Sequence, residues 1–236
     1  MIGQRFSHLP DVVKNLMIIN GLFFLATWSL KSRGIDISSW LALHQFQSAN
    51  FMPHQLITHM FMHANFTHLF FNMFTLWMFG KTLENLWGSK RFIIFYMITG
   101  LGAALIYCLY IQFQINELTQ LNSDYLNLAK EGKFYVGNIN SINLTKVVNT
   151  RMVGASGAVY GLLLAFGVLF PNTLLYLYMA IPVKAKYFVG GIGVLALING
   201  ISNNNEDNVA HFAHLGGMIF GIILLKYWKK KGEINY

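Results

Sequence analysis

Six apolar segments, separated by polar connections, set the strongest limit on how this chain can fold. About 20 residues of helix cross the hydrocarbon core of a bilayer, where only helices and closed barrels satisfy every backbone group. The segments are longer than the roughly 10-residue alternating strands of a barrel. Because 55% of the residues are hydrophobic and 11% are charged, we predict an all-α polytopic membrane protein that forms a single domain over residues 1–236. Its six predicted transmembrane helices cover residues 12–30, 66–87, 92–113, 156–170, 183–201 and 209–228.

The basic residues lie between the apolar segments, and their distribution predicts the orientation of the chain. A net charge of +8 beside membrane segments is typical of topology signals, so we expect a lipid bilayer and no nucleic acid as the partner. With both termini cytoplasmic, 11 of the 17 Lys and Arg residues, including Arg5, lie on the inner side, and the Glu206-Asp207 pair lies outside. No A-x-A-like cleavage site follows the first segment. These features favour an uncleaved protein of a bacterial inner membrane.

The fourth apolar segment is short and begins at a serine with glycines on both sides. Ser156 follows Gly154 and precedes Gly157, and Pro171 ends the segment. A short helix would place Ser156 below the membrane surface, at a helix N-terminus whose free N–H groups can bind developing negative charge. A serine there can act as a nucleophile if a base lies beside it. Small residues at this spacing also fit simple helix packing.

The sixth segment carries a histidine that can supply the base. Gly217 and Gly221 form a G-x-x-x-G pattern, which allows two helices to approach closely. His214 lies one turn before Gly217 on roughly the same face, so docking through the glycines would bring it to a neighbouring helix. If that helix starts at Ser156, the base meets the nucleophile. His211, three residues earlier, is interpreted as peripheral or supporting.

The second segment carries two further polar side chains, His68 and Asn72, which are four residues apart and share one helix face. Both can donate hydrogen bonds, as the stabilisation of an oxyanion requires. The alternative is a structural role between helices.

A metal or haem site is the rival interpretation of the histidines at positions 54, 59, 63 and 68. Their spacings do not keep one helical face, and the sequence has no H-E-x-x-H motif or Cys/His cluster. We therefore predict no metal and no cofactor.

Two long connections are less informative. Residues 31–62 contain scattered apolar side chains and are predicted to lie partly in the membrane interface. Residues 114–150 are polar and rich in asparagine, and we favour a disordered connection over a lid.

Taken together, these motifs resemble the rhomboid family of intramembrane serine proteases, in order and over nearly the whole chain. The resemblance rests on Gly154-Ala155-Ser156-Gly157, His214-x-x-Gly217-x-x-x-Gly221, His68-x-x-x-Asn72, Glu84-Asn85-Leu86-Trp87-Gly88, and Tyr160 one turn after the serine. The Trp-Arg pair that the family often has in its first outer loop is absent from residues 31–62.

The resemblance implies a six-helix rhomboid-like bundle with a Ser–His dyad and no acidic third member. It would cleave transmembrane protein substrates near their outer ends. The implied roles are Ser156 as nucleophile, His214 as general base, Tyr160 packed on the His214 ring, His68, Asn72 and the Ser156 N–H as oxyanion donors, His63 as a structural histidine, and Glu84 as a tie between helix ends.

Two non-catalytic classes are alternatives. A catalytically silent rhomboid-like protein would bind membrane clients, but such proteins usually lack the serine or the histidine. A transporter would need a polar pathway across the bilayer, whereas the polar residues here cluster at one depth. The oligomeric state is left open by the sequence.

Overall fold

The computed structural model describes residues 9–120, 124–177, 180–201 and 208–234, which are mostly helical. Arg5 and the Glu206-Asp207 pair, which were used above to predict the orientation, lie outside the described residues. The helices are α1 (Asp11–Lys31), α2 (Ser38–Leu41), α3 (Gln55–Thr58), α4 (Phe66–Thr75), α5 (Lys81–Trp87), α6 (Ser89–Thr119), α7 (Asp124–Lys130), α8 (Ile139–Val148), α9 (Ser156–Leu169), α10 (Ala185–Ile201) and α11 (Asn208–Lys230). The strands are β1 (Leu43–His44), β2 (Arg151–Met152), β3 (Leu174–Leu177) and β4 (Ile181–Lys184).

Three of the described helices, α1, α6 and α11, are long and apolar enough to cross a membrane. Helices α9 and α10 are apolar but shorter. The second predicted span is helical throughout, and a π-helical segment, Leu76–Gly80, lies between α4 and α5. The chain is therefore a helical protein with clear membrane-spanning candidates, while the count of six spans stays a prediction.

A buried carboxylate joins the helix ends at one side of the bundle. Glu84 of α5 accepts hydrogen bonds from the backbone N–H groups of Val12 and Val13, at 3.0 and 2.8 Å, and from the hydroxyl of Ser89 at 2.7 Å. The first N–H groups of a helix have no partner within the helix, so the carboxylate satisfies the start of α1. Gly88, with a φ of 78°, then turns the chain directly into α6. This geometry agrees with the tie between helix ends that was expected of Glu84.

Helix α9 lies at the centre of the bundle, where it packs against α6, α10 and α11. It has 14 residues, a length of about 21 Å, which is less than the roughly 30 Å of a hydrocarbon core. A Cβ atom on Gly217 of α11 would overlap the carbonyl oxygen of Gly157. Glycine at position 217 thus lets α11 touch the backbone of α9, whereas Gly157 leaves room for Ala103 of α6, which a Cβ atom at position 157 would overlap.

Two expectations about the connections are wrong. Residues 183–184 do not start a helix, because they belong to β4, which pairs with β3 in an antiparallel hairpin before α10 begins. The described part of residues 114–150 is not disordered: α6 continues to Thr119, and α7 and α8 follow. These helices bury Ala129, Leu144 and Val148 against Leu43 and Ile111. The apolar contact supplies the free energy that orders the segment.

Candidate active site

Ser156 and His214 lie in hydrogen-bond contact at the junction of α9 and α11. The distance between Oγ of Ser156 and Nε2 of His214 is 2.8 Å, although 58 residues separate them. Ser156 is the first residue of α9, so it lies beside N–H groups that have no intrahelical acceptor. The contact between Gly157 and Gly217 holds the two helices close enough for the bond.

The imidazole of His214 is held on one face by an aromatic ring. Tyr160, one turn after Ser156, stacks on it with ring centroids 4.1 Å apart and an angle of 9° between the planes. Gly221, one turn beyond Gly217, lies among Phe95, Leu164 and Gly161, where a Cβ atom would meet neighbours at 3.3 to 3.5 Å. The ring is thus stacked, and its Nε2 is directed at a hydroxyl.

His68 and Asn72 lie beside the loop that leads into Ser156. A Cβ atom on Gly154 would lie 2.7 Å from Nε2 of His68 and 3.7 Å from Nδ2 of Asn72, and Gly154 has a φ of 118°. Only glycine suits this position, because both the backbone and the space exclude a side chain. Nδ2 of Asn72 is buried and has no hydrogen-bond partner among the described residues. A buried donor without a partner is costly, and this one lies beside the loop that leads into Ser156.

The loop before Ser156 is fixed from the segment that follows α1. Strand β1 pairs with β2, and the N–H of Gly154 donates to the carbonyl of His59 at 2.9 Å. Arg151 of β2 also forms an exposed ion pair with Asp36 at 3.2 Å. Residues 31–62 and the loop that leads into Ser156 are therefore joined by hydrogen bonds. The sequence does not reveal this contact, because strands of two residues leave no alternating pattern.

The four histidines that the rival metal interpretation used do not form one cluster. His54 donates to the carbonyl of Trp40 at 2.8 Å, His59 donates to the carbonyl of Gln55 at 2.8 Å, and the His63 ring lies edge-on to His68 at 5.0 Å. The part of the chain that the structure describes holds no group of three or more His, Cys, Asp or Glu side chains that could bind a metal ion. Burial lowers the pKa of His59 to about 4, which keeps this imidazole neutral.

Chemically, the arrangement combines a hydroxyl, a base in contact with it and nearby hydrogen-bond donors. Ser156 and His214 are both partly buried, so the pair is partly shielded from the surroundings but still accessible. A serine whose hydroxyl donates to an oriented imidazole has the geometry of an activated nucleophile. The side-chain nitrogens of His68 and Asn72 lie beside Gly154, two residues before the serine.

The chain also resembles known proteins. A family model described as the rhomboid domain matches residues 50–230. Similar proteins include RHOMBOID-like protein 12, mitochondrial, of Arabidopsis thaliana (28% identical over 88% of this chain and 55% of that protein), and the putative rhomboid protease YdcA of Bacillus subtilis (27%, over 99% and 96%). A third is the rhomboid protease AarA of Providencia stuartii (29%, over 70% and 52%).

The chain spans about half the length of the Arabidopsis and Providencia relatives and nearly all of the Bacillus one. Because the family model covers well over half of the chain, from residue 50 to residue 230, and agrees with its apolar helices, this membrane protein belongs to the rhomboid family.

Proposed function

We propose that this chain is an intramembrane serine endopeptidase, which hydrolyses peptide bonds of transmembrane protein substrates near the outer membrane face. The observation that carries the proposal is the 2.8 Å contact between Ser156 Oγ and His214 Nε2 at the start of a central apolar helix. Two relatives are named as rhomboid proteases, one of them putatively, and this chain retains both a serine and a histidine in contact.

In the proposed reaction, Ser156 Oγ attacks the carbonyl carbon of the scissile bond while Nε2 of His214 takes the hydroxyl proton. The resulting imidazolium gives that proton to the nitrogen of the leaving amine, and the C–N bond breaks. Water, deprotonated by His214, then attacks the acyl-enzyme. The bond between the acyl carbon and Ser156 Oγ breaks, His214 returns the proton to Oγ, and the carboxyl product is released. No cofactor or metal takes part in this scheme.

The carbonyl oxygen gains negative charge in both tetrahedral intermediates. We assign its stabilisation to the side chains of His68 and Asn72 and to the backbone N–H of Ser156. Nδ2 of Asn72 has no hydrogen-bond partner in the part of the chain that the structure describes, and His68 lies against Gly154; both observations support this assignment. Donors held in place before the reaction stabilise the transition state without reorganisation.

We further propose that the chain works as one six-span domain in a bacterial inner membrane, with both termini in the cytoplasm. The excess of basic residues on the side of the termini supports this orientation. It puts the Ser156 end of the bundle on the outer side, from which water can reach the dyad.

A cleavage assay in detergent or liposomes tests the proposal with a model single-span substrate. Wild type should cleave it, whereas Ser156→Ala and His214→Ala should not. The matched controls Ser32→Ala and His54→Ala remove the same side-chain types at exposed positions, and both should cleave as wild type does. If folded wild-type protein fails to cleave several substrates, the client-binding alternative replaces the protease.

A further inference from the structure

One nitrogen of the proposed base is left without a hydrogen-bond partner in the dyad. Nε2 of His214 contacts Ser156, and its Nδ1 is buried with no partner among the described residues. In serine protease triads a carboxylate binds this N–H, selects the tautomer and orients the ring. Tyr160 stacks on the ring face, so it limits tilting but cannot accept a hydrogen bond in the ring plane.

A second histidine lies at the edge of this ring. His211 is one turn earlier on α11, and its ring is edge-on to that of His214, with the centroids 6.1 Å apart and an angle of 82°. The Nδ1 of His211 is also buried without a partner in the described part of the chain. A buried nitrogen without a hydrogen-bond partner destabilises the fold. Because the two rings are neighbours, one shared partner can satisfy both nitrogens.

The distance between the rings decides whether the two nitrogens bond directly or through a bridging molecule. At 6.1 Å between centroids, the nitrogens of the two rings cannot reach direct hydrogen-bond distance. A single water can bridge polar atoms beyond 3.5 Å and satisfies buried groups at little net cost.

We propose that His211 is a positioning residue that orients His214 through one bridging water. This inference rests on the proposed protease function. The Nδ1–H of His214 donates to the water oxygen, and the water donates to Nδ1 of His211, which is neutral with its proton on Nε2. The pair fixes the tautomer in which Nε2 of His214 is free to accept the Ser156 proton. His211 thus takes the place that an acid has in a triad.

Three substitutions at one position separate a polar role from a packing role. His211→Phe keeps a ring without nitrogens, His211→Leu is a second apolar variant, and His211→Gln keeps a polar group at the ring edge. Phe212→Leu is the matched control, because this neighbouring ring packs against Tyr110, away from the dyad. Thermal unfolding in detergent identifies the variants that fold.

We expect kcat to fall by about 10-fold or more in the folded apolar variants, as loss of the hydrogen-bond partner of a metal-ligating histidine does in metal sites. KM should stay within about two-fold of wild type, because binding of substrate does not depend on the tautomer. His211→Gln should recover most of the lost kcat. A wild-type kcat in the folded apolar variants, or a His211→Gln variant as slow as they are, would overturn the role of His211.

Labelling of Ser156 by a fluorophosphonate separates this inference from the function on which it rests. The rate of labelling should fall in the apolar variants in parallel with kcat. If wild type is labelled and cleaves, and the apolar variants match it, only the role of His211 is overturned. If wild type neither cleaves nor reacts, the proposed function is overturned and the positioning role with it.

Discussion

Gly217 lies directly against the carbonyl of Gly157, so that helices α11 and α9 meet backbone to backbone. Gly157 follows Ser156 and Gly217 is one turn after His214, so this contact lies immediately below the hydrogen bond between the two side chains. If a methyl group held the two helices further apart, the imidazole of His214 would move away from the hydroxyl of Ser156. The close approach and the 2.8 Å contact are therefore two parts of the same arrangement.

The substitution Gly217→Ala should disrupt both. The new methyl group would meet backbone rather than a flexible side chain, and overpacking of this kind costs about 1–3 kcal/mol. We expect a lower Tm in detergent and loss of cleavage. The control is Gly190→Ala on an exposed face of α10, where no atom of the described residues lies within 4 Å of the new Cβ. A Gly217→Ala protein with wild-type cleavage would contradict the link between helix approach and the dyad.

Removal of the proposed oxyanion donors should affect kcat more than KM. We expect His68→Ala and Asn72→Ala each to lower kcat by about 10²–10³-fold, as loss of one such donor does elsewhere. The donors act on charge that develops only in the transition state, so substrate binding should change little. Steady-state kinetics on a single-span substrate measure both constants. An Asn72→Ala variant that loses affinity but keeps kcat would favour a role in substrate binding instead.

The pairing of Ser156 with His214 could be predicted from the sequence because glycines that allow close helix contact lie on both sides of Ser156 and one and two turns after His214. Small residues are typical of the places where two membrane helices touch. A polar residue next to such a place on each helix suggests that the two polar side chains are in contact. The resemblance to a family then added Tyr160, which no spacing argument would have found.

Other parts of the structure leave no local signal. Ala129 lies 15 residues before Leu144, and Leu144 and Val148 are four residues apart in a segment rich in polar residues. Their partner surface is formed by α6 and β1. Their burial is a tertiary effect, which a polar segment does not reveal. The β3–β4 hairpin was missed in part because its apolar residues merge with those of α10. The bond from Gly154 to the carbonyl of His59 involves backbone alone, so side-chain types cannot predict it.

We expect Glu84 to affect stability rather than catalysis. It caps α1, and it lies at the other end of the second predicted span from His68. Glu84→Ala would leave the N–H groups of Val12 and Val13 without their acceptor, at a cost of about 1–3 kcal/mol. We expect a lower Tm, with kcat of the folded fraction unchanged. Glu233→Ala is the control, because its 3.7 Å contact with Arg91 is partly exposed and such pairs contribute about 0–1 kcal/mol. Equal Tm values for the two variants would refute the capping role.

The stability of the protein should fall in mild acid through two buried histidines that precede α4. Burial lowers the pKa of His59 to about 4, and burial together with the neighbouring His68 lowers the pKa of His63 to about 4. The unfolded chain binds protons near pH 6.5, whereas the folded chain does not until about pH 4. The stabilisation is therefore complete above pH 6.5 and is lost as the pH falls towards 4. Between pH 7 and pH 5 the loss is about 2 kcal/mol for each histidine.

Thermal unfolding in detergent at pH 7 and pH 5 measures this effect, and His59→Gln isolates one contribution. Glutamine can still donate towards the carbonyl of Gln55 but does not titrate, so the decrease in Tm between the two pH values should be smaller than in wild type. The exposed His54→Gln variant should show the wild-type decrease. If His59→Gln and wild type lose the same Tm on acidification, protonation of His59 does not limit stability.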